Sequence, residues 1–129
     1  MKICIFGAGA IGGHGAALMA RAGHDVTLIA RGAQLEAIRR KGLTFIGKDE
    51  RFTVPVRAVE TPEEAGVQDA VVLAVKAPSL VEISQKLKPL LGPETPIVAA
   101  LNGIPWWFFS GIGGALEGRP LKTLDPDGR

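Results

Sequence analysis

A glycine-rich turn near the start of the chain constrains its fold more than any other feature. A β-branched apolar run over residues 2–6 is followed directly by G-x-G-x-x-G over residues 7–12, and a helical period covers residues 10–22. A turn of this kind between a strand and a helix is typical of a βαβ unit whose helix N-terminus binds a dinucleotide pyrophosphate. A glycine-rich turn without a ligand is the alternative. The candidate cofactor-binding residues in the turn are Gly7, Ala8, Gly9, Ala10, Ile11 and Gly12.

The three motif glycines have different predicted tasks. Gly7 permits the tight passage from strand to helix, and Gly9 lets the backbone approach a pyrophosphate because no Cβ stands in the way. Gly12 lets the helix pack closely on the sheet. The turn therefore predicts both a fold and a class of ligand.

Short apolar runs alternate with helical periods along the chain, which is the pattern of βαβ units around a parallel sheet. We predict an α/β fold of Rossmann type, with a doubly wound, mostly parallel sheet and an inserted β-hairpin. The predicted strands are residues 2–6, 25–30, 56–59, 70–75 and 96–101; the predicted helices are residues 10–22 and 33–41, a short helix with Thr61 as N-cap, and a helix that starts at Pro78; and the hairpin strands are residues 43–46 and 52–54.

The same patterns predict which side chains are buried. Residues at helical spacing share one face of the first helix and one face of the helix after Pro78, and we expect both faces to point inward. The run 70–75 predicts a strand covered on both faces, and the run 96–101 predicts a further buried strand. The predicted inward residues are Ile11, Gly15, Leu18 and Ala22 in the first helix, and Leu80, Ile83 and Leu87 in the later one.

The composition argues against several classes of protein. The 129 residues include 15 Lys and Arg against 13 Asp and Glu, and a net charge of +2 predicts no basic surface for nucleic acid. No apolar run approaches the roughly 18 residues of a membrane helix. The single cysteine, Cys4, rules out an internal disulfide and a cysteine-based zinc site, and it fits a reducing compartment. We therefore predict a soluble protein without a metal site.

The end of the second predicted strand indicates which nucleotide would bind. A site for NAD usually has Asp or Glu there, about 20 residues after the glycine turn, to hold the ribose hydroxyls. Here Arg31 follows the strand, and the nearest acid, Asp25, begins it and so lies at the opposite end of the sheet. A guanidinium can hold a 2′-phosphate and stack on adenine. Arg31 therefore favours NADP(H) over NAD(H), with an exposed surface arginine as the alternative.

Two further polar residues follow apolar strands. Lys76 comes directly after the run 70–75, and Asn102 directly after the run 96–101. Ligands of open α/β sheets bind outside the carboxyl ends of the strands, so both side chains are predicted to lie on the same edge as the glycine turn. Polar residues are common at strand ends, and geometry alone leaves open whether either one touches a ligand.

The composition changes after Asn102. Residues 106–109 are Trp-Trp-Phe-Phe, and residues 110–129 contain five glycines and two prolines without a convincing period. We therefore divide the chain into a nucleotide-binding domain over residues 1–104 and a segment over residues 105–129 that leads to a further domain. The Trp106-Trp107 pair is predicted to form an interface with that domain, with a core plug as the alternative.

Four stretches together resemble one enzyme family, and the resemblance covers nearly the whole chain. Residues 2–13, 23–31, 75–77 and 101–107 are similar to the N-terminal domain of ketopantoate reductases (2-dehydropantoate 2-reductases). The combination of Arg31, Lys76 and Asn102-Gly103 is much more specific than the glycine motif. The resemblance implies reduction of 2-dehydropantoate to pantoate with NADPH in the cytoplasm, on the route to pantothenate and coenzyme A.

The resemblance also implies roles for individual residues. Residues 7–12 would bind the pyrophosphate, Arg31 the 2′-phosphate and Lys76 the cofactor, and Asn102 would lie by the nicotinamide and the substrate. The lysine that acts as general acid in the family belongs to a helical C-terminal domain that is absent from these 129 residues. No catalytic residue is therefore expected in this chain, and its partners would be a small 2-oxoacid, the missing domain and, as a possibility, a second copy in a homodimer.

Two other functions remain open. A related reductase could act on a different 2-oxoacid, since the segment after Pro105 is longer and more aromatic than the simplest pattern of the family. A regulatory module that senses a nucleotide without reducing anything would share the glycine turn. Such sensors usually have an acid at the end of the second strand and have no need of Asn102-Gly103, so the sequence favours a reductase.

Overall fold

A five-stranded parallel sheet forms the centre of the computed structural model, which describes residues 1–105 and 107–126. In chain order the strands are β1 (Lys2–Phe6), β2 (Asp25–Ile29), β3 (Leu43–Ile46), β4 (Arg51–Val54), β5 (Arg57–Val59), β6 (Ala70–Leu73) and β7 (Ile97–Ala99). The central sheet has the order β5-β2-β1-β6-β7 with every neighbouring pair parallel, whereas β3 and β4 form a separate antiparallel hairpin. The predicted Rossmann-type sheet and the inserted hairpin are confirmed.

Helices connect the strands. They are α1 (Ala10–Arg21), α2 (Gly32–Lys41), α3 (Pro62–Ala65) and α4 (Leu80–Ser84), with 3-10 turns at Ala77–Ser79, Lys88–Leu90 and Gly114–Leu116. Helix α3 begins with the predicted capping box, in which the Thr61 side chain and the Glu64 carboxylate each satisfy a backbone N–H of the other residue. Within the described part of the chain, no helix has the length and apolar character needed to cross a membrane.

Each face of the sheet is covered by its own apolar core. Alternate residues of β1 point to opposite faces, so Ile3 and Ile5 enter one core while Cys4 enters the other. The first core includes Ala16 of α1 and Leu35 of α2. The second core joins the sheet to α3, to α4 and to the turn after it, and its largest fully buried members are Leu90 and Val71. Because helices cover both faces, the sheet is doubly wound as predicted.

The predicted inward face of α1 is wrong. Ile11 is 60% exposed and Ala22 is also exposed, whereas the buried residues of α1 are Gly12, Ala16 and Ala17. These small residues let the helix axis come close to the strands, so Ile11 at the start of the helix is left outside. Apolar spacing identified the helix correctly but not its face, because close helix–sheet packing here selects small side chains over large ones.

The region after β6 also departs from prediction. The helix expected from Pro78 through Leu87 is a 3-10 turn followed by the five-residue α4, and Leu87 is buried from the turn beyond the helix. The buried strand predicted over residues 96–101 is instead an edge strand of the sheet, β7. Its residues Ile97 and Val98 are 45% and 52% exposed. Strand β7 pairs only with β6, and no helix of the described residues packs closely on it, so its apolar side chains stay in solvent.

The β3–β4 hairpin packs on α1. The rings of Phe45 and Phe52 stack with centroids 4.9 Å apart, and His14 of α1 lies against Phe45 at 5.1 Å. The Arg21 guanidinium lies 4.0 Å from the centre of the Phe52 ring and donates to the Glu50 carboxylate at 2.6 Å. This contact lowers the pKa of Glu50, with the hydrogen bond from Arg21 as its main cause. The β3–β4 hairpin therefore packs against α1, the helix that starts at the glycine turn, and stabilises it.

The described residues after Asn102, which are 103–105 and 107–126, form turns and no strand or α-helix. The Glu117 carboxylate accepts backbone N–H bonds from Gly111 at 2.7 Å and Gly113 at 2.5 Å, and these bonds lower the pKa of Glu117. Phe108 is 50% exposed, and Trp107 is partly buried. Trp106, the other half of the predicted aromatic interface, lies outside the described residues, and the domain boundary at residue 104 stays a prediction.

Candidate dinucleotide-binding site

Two of the three motif glycines are required by backbone geometry. Gly7 has φ +109°, and a Cβ there would lie 2.6 Å from the carbonyl oxygen of Ala74. A Cβ on Gly12 would lie 1.9 Å from the carbonyl oxygen of Gly7. The Gly7 N–H donates to the carbonyl of Ile29 at 3.2 Å and joins the turn to the end of β2. These contacts explain how β1 passes into α1 within so few residues.

Gly9 differs from the other two glycines. It is the N-cap of α1, with φ −70° and ψ −170°, a conformation that any residue adopts. A Cβ there would have no described heavy atom within 4 Å. Neither strain nor packing therefore requires glycine at this position. The open space lies at the N-terminus of α1, where the first backbone N–H groups have no partner within the helix and favour an anion.

Two clefts adjoin the glycine turn at the carboxyl edge of the sheet. The larger has a volume of about 580 Å³ and is lined by Gly7 and Ala8, and the smaller has a volume of about 340 Å³ and is lined by Gly9, Ala10 and Ile11. Val75, just beyond β6, lines both clefts. The turn therefore lies where the two clefts meet. Gly12 lines neither cleft, because it is buried between α1 and the turn.

The larger cleft contains Arg31. It follows β2 and is exposed, and its side chain makes no hydrogen bond or ion pair within the described residues. On the same cleft Lys86 donates to Glu82 at 2.5 Å. The pKa of Glu82 is lowered mainly by that hydrogen bond and by the Lys86 charge, with a smaller contribution from the Arg31 charge. Arg31 is thus a cation whose hydrogen-bonding groups are available to a ligand.

Sequence reasoning missed several residues of the larger cleft. Gln34 of α2 donates from Nε2 to the carbonyl oxygen of Ala8, and this bond links the second helix to the glycine turn. Ser79 reaches the cleft from the 3-10 turn after β6, Glu82 from α4 and Lys86 from the turn after α4. No sequence pattern marks a polar residue on a helix as one that lines a cleft. The one available signal is that Ser79 lies only three positions after the predicted site residue Lys76.

The smaller cleft brings Lys76 and Asn102 together. Both residues are exposed, and they line this cleft with Gly9, Ala10 and Ile11. Neither side chain makes a hydrogen bond or ion pair inside the ranges 1–105 and 107–126. An ammonium and a carboxamide are therefore free to bind a ligand on the side of the turn opposite Arg31. The predicted common edge for Lys76, Asn102 and the glycine turn is thus what the structure shows.

Other chemistry has little support in this region. In the described ranges, no group of three or more His, Cys, Asp or Glu side chains is arranged to hold a metal ion. Cys4 is fully buried in β1, and burial raises the pKa of its thiol to about 12. The arrangement that could hold a cofactor is the glycine turn with the two clefts on either side of it.

Comparison with known proteins identifies similar chains. The family model described as ketopantoate reductase PanE/ApbA matches residues 3–105. A 2-dehydropantoate 2-reductase of Mesorhizobium japonicum is 54% identical over 129 residues, which are 99% of this chain and 40% of that protein. A crystal structure assigned as a ketopantoate reductase, from Ralstonia solanacearum, has a TM-score of 0.87 at 45% identity and covers 98% of this chain and 39% of that one.

A dehydrogenase with another substrate is also similar. The ternary structure of a D-mandelate dehydrogenase with NADH and anilino(oxo)acetate has a TM-score of 0.73 at 29% identity, covering 81% of this chain and 34% of that one. The family model ends at residue 105, whereas the Mesorhizobium and Ralstonia proteins are matched over nearly the whole chain. This chain spans about 40% of the length of those two proteins.

Proposed function

Because this chain belongs to the ketopantoate reductase family, we propose that it is the cofactor-binding part of an NADPH-dependent reductase that converts 2-dehydropantoate to pantoate. The observation that carries the proposal is the position of the glycine turn between two clefts at one sheet edge. A dinucleotide has two halves joined by a pyrophosphate, and this arrangement offers one cleft for each half with the helix N-terminus at the junction.

The adenosine half of the cofactor would occupy the larger cleft. Arg31 would bind the 2′-phosphate, since its guanidinium has no partner among the described residues and presents donors in a planar fork. The pyrophosphate would lie at Gly9, in the space that a Cβ would otherwise enter, close to the backbone of residues 7–12. The open space at Gly9 fits a bound group, because no strain or packing explains glycine there.

The nicotinamide half would occupy the smaller cleft. When bound there, the cofactor supplies a hydride for the ketone carbon of the substrate. Lys76 would contact the cofactor, and the Asn102 carboxamide would lie by the nicotinamide and position the 2-oxoacid. The ketone oxygen also needs a proton, and a lysine in the part of the protein beyond these residues would donate it. This chain therefore holds and orients the cofactor, but it lacks the proton donor.

The proposal places the reaction in the cytoplasm, on the route to pantothenate. It is tested with NADPH fluorescence titrations of this chain and with NADPH oxidation assays on ketopantoate. The chain should bind NADPH and show no detectable turnover, and the chain extended through its downstream reading frame should oxidise NADPH when ketopantoate is present. Turnover by the 129-residue chain at a rate near that of the extended protein would contradict the division of the active site. Binding without turnover in the extended protein would favour a nucleotide sensor.

A related 2-oxoacid reductase with a more apolar substrate is the second candidate. The family model ends at residue 105, so Phe108 lies beyond it and Ile104 lies at its end. The Ile104 and Phe108 side chains are 61% and 50% exposed. The D-mandelate dehydrogenase has a similar fold over the matched residues, and its structure contains anilino(oxo)acetate, an aromatic 2-oxoacid derivative. Comparing ketopantoate with benzoylformate as substrates of the extended protein, by kcat/KM with NADPH, distinguishes the two candidates.

A further inference from the structure

A second cation lines the larger cleft together with Arg31. Lys86 lies in the turn after α4, where its backbone N–H donates to the carbonyl of Ile83 at 2.9 Å, and its side chain lines the cleft. Its Nζ donates to Oε1 of Glu82 at 2.5 Å. No sequence pattern indicates this residue, because it lies ten positions after Lys76 on a different element.

The Glu82 carboxylate pairs with Lys86 and lies within the electrostatic influence of Arg31. Its pKa is lowered mainly by the hydrogen bond and charge of Lys86, and the charge of Arg31 contributes as well. Arg31 follows β2, whereas Glu82 and Lys86 belong to α4 and the turn after it, so the two cations come to the cleft from different elements of the fold. The Glu82 carboxylate therefore already neutralises part of the positive charge that a phosphate would meet in this cleft.

We propose, on the basis of the function proposed above, that Lys86 is a second determinant of selectivity for the 2′-phosphate, and that Glu82 holds Lys86 until the phosphate binds. The exchange breaks the ion pair between Lys86 and Glu82 and replaces it with an ion pair between Lys86 and the phosphate. No covalent bond changes and no proton moves.

The charges of the cleft indicate that a phosphate bound there needs both cations. Its lining includes the cations Arg31 and Lys86 and three carboxylates, which are those of Glu60, Glu63 and Glu82. A phosphate monoester carries roughly −1.5 to −2 charges near neutral pH, more than one guanidinium neutralises. The Lys86–Glu82 pair is also inexpensive to break, since both side chains are more than half exposed and pairs of that kind contribute little. A compact ammonium with three donors can then turn to the phosphate.

The first test is calorimetric titration of the 129-residue chain with NADP⁺ and NAD⁺. Lys86→Ala should weaken binding of NADP⁺ about threefold to tenfold and leave NAD⁺ unchanged, as expected for one partly exposed charge contact. Lys86→Arg should restore most of the loss. Lys88→Ala is the matched control, because it removes the same charge two residues away from a side chain that does not line the cleft, and it should change neither affinity.

The second test uses Glu82→Gln, which removes the competing carboxylate and keeps the size of the side chain. Binding of NADP⁺ should become about threefold tighter with NAD⁺ unchanged. Unchanged NADP⁺ affinity in both Lys86→Ala and Glu82→Gln, with Arg31→Ala still weakening it, would overturn this inference and leave the proposed function intact. An unaltered chain that folds, as judged by circular dichroism, but binds neither nucleotide would overturn both.

Discussion

A β-carbon on Gly12 would lie 1.9 Å from the carbonyl oxygen of Gly7, closer than any two such atoms can approach. The contact joins the first and last glycines of the motif through backbone rather than through a flexible side chain. The absence of a side chain at Gly12 therefore lets α1 lie close against the turn. The same turn positions Gly9, which lines the smaller cleft.

Gly12→Ala should destabilise the fold. The added methyl group has to push α1 away from the turn, and overpacking against a rigid neighbour costs about 3 kcal/mol. Urea unfolding followed by circular dichroism measures the change. Gly9→Ala is the matched control, since a Cβ there meets open space, and its stability should stay within about 1 kcal/mol of the unaltered chain. Equal losses in both variants would show that the close contact at Gly12 does not govern stability.

Gly9→Val should abolish binding of NADPH while the domain stays folded. Gly9 is in an extended conformation that valine also adopts, and the side chain would project into the space proposed for the pyrophosphate. Circular dichroism and NADPH fluorescence on the same sample measure folding and binding together. If this variant binds NADPH as well as the unaltered chain does, the phosphates lie somewhere else.

Arg31→Ala should remove most of the preference for NADP(H) over NAD(H). Losing a charge-assisted contact to the 2′-phosphate costs roughly 1.5–3 kcal/mol, which is about tenfold to a hundredfold in affinity. NAD(H) lacks that phosphate, so its affinity should be nearly unchanged. Calorimetric titrations with both nucleotides make the comparison, and equal weakening of both would mean that Arg31 has a structural role.

Cys4 should be unreactive in the folded chain and should make stability depend on pH only in alkaline solution. Burial raises the pKa of its thiol from 9.0 to about 12, so the folded state keeps the proton more tightly than the unfolded state does. This contribution to stability is fully present below about pH 9 and is lost as the pH rises towards 12. Near pH 8, a thiol reagent should modify the chain only in denaturant.

The alkaline effect has a direct control. Cys4→Ala removes the titrating group, so urea unfolding of this variant should change less between about pH 8 and about pH 10.5 than unfolding of the unaltered chain does. Equal pH dependence of the two chains would assign the effect to other groups. Rapid modification of the native thiol would contradict the burial of Cys4 in β1.

Local patterns predicted the elements of this fold well and their burial less well. The turn between β1 and α1, the hairpin and the Thr61 capping box follow from short-range chemistry, since glycine, turn residues and caps act within a few positions. The inward face of α1 could not be predicted from short-range chemistry. Ile11 looked like a core residue by spacing, but the buried residues of that helix are the small ones, Gly12, Ala16 and Ala17.

Some residues of the candidate site could be predicted from local sequence patterns, and others could not. Sequence patterns identified the glycine turn, Arg31, Lys76 and Asn102, because each comes directly after an apolar run and parallel strands bring their carboxyl ends to one edge. The packing of helices on the sheet sets the rest of the site. It places Arg31 in one cleft and the pair Lys76 and Asn102 in the other, and it brings Glu82 and Lys86 to the cleft of Arg31. The physical reason is that position along a strand is local information, whereas the distance between side chains on different elements depends on how the helices pack against the sheet.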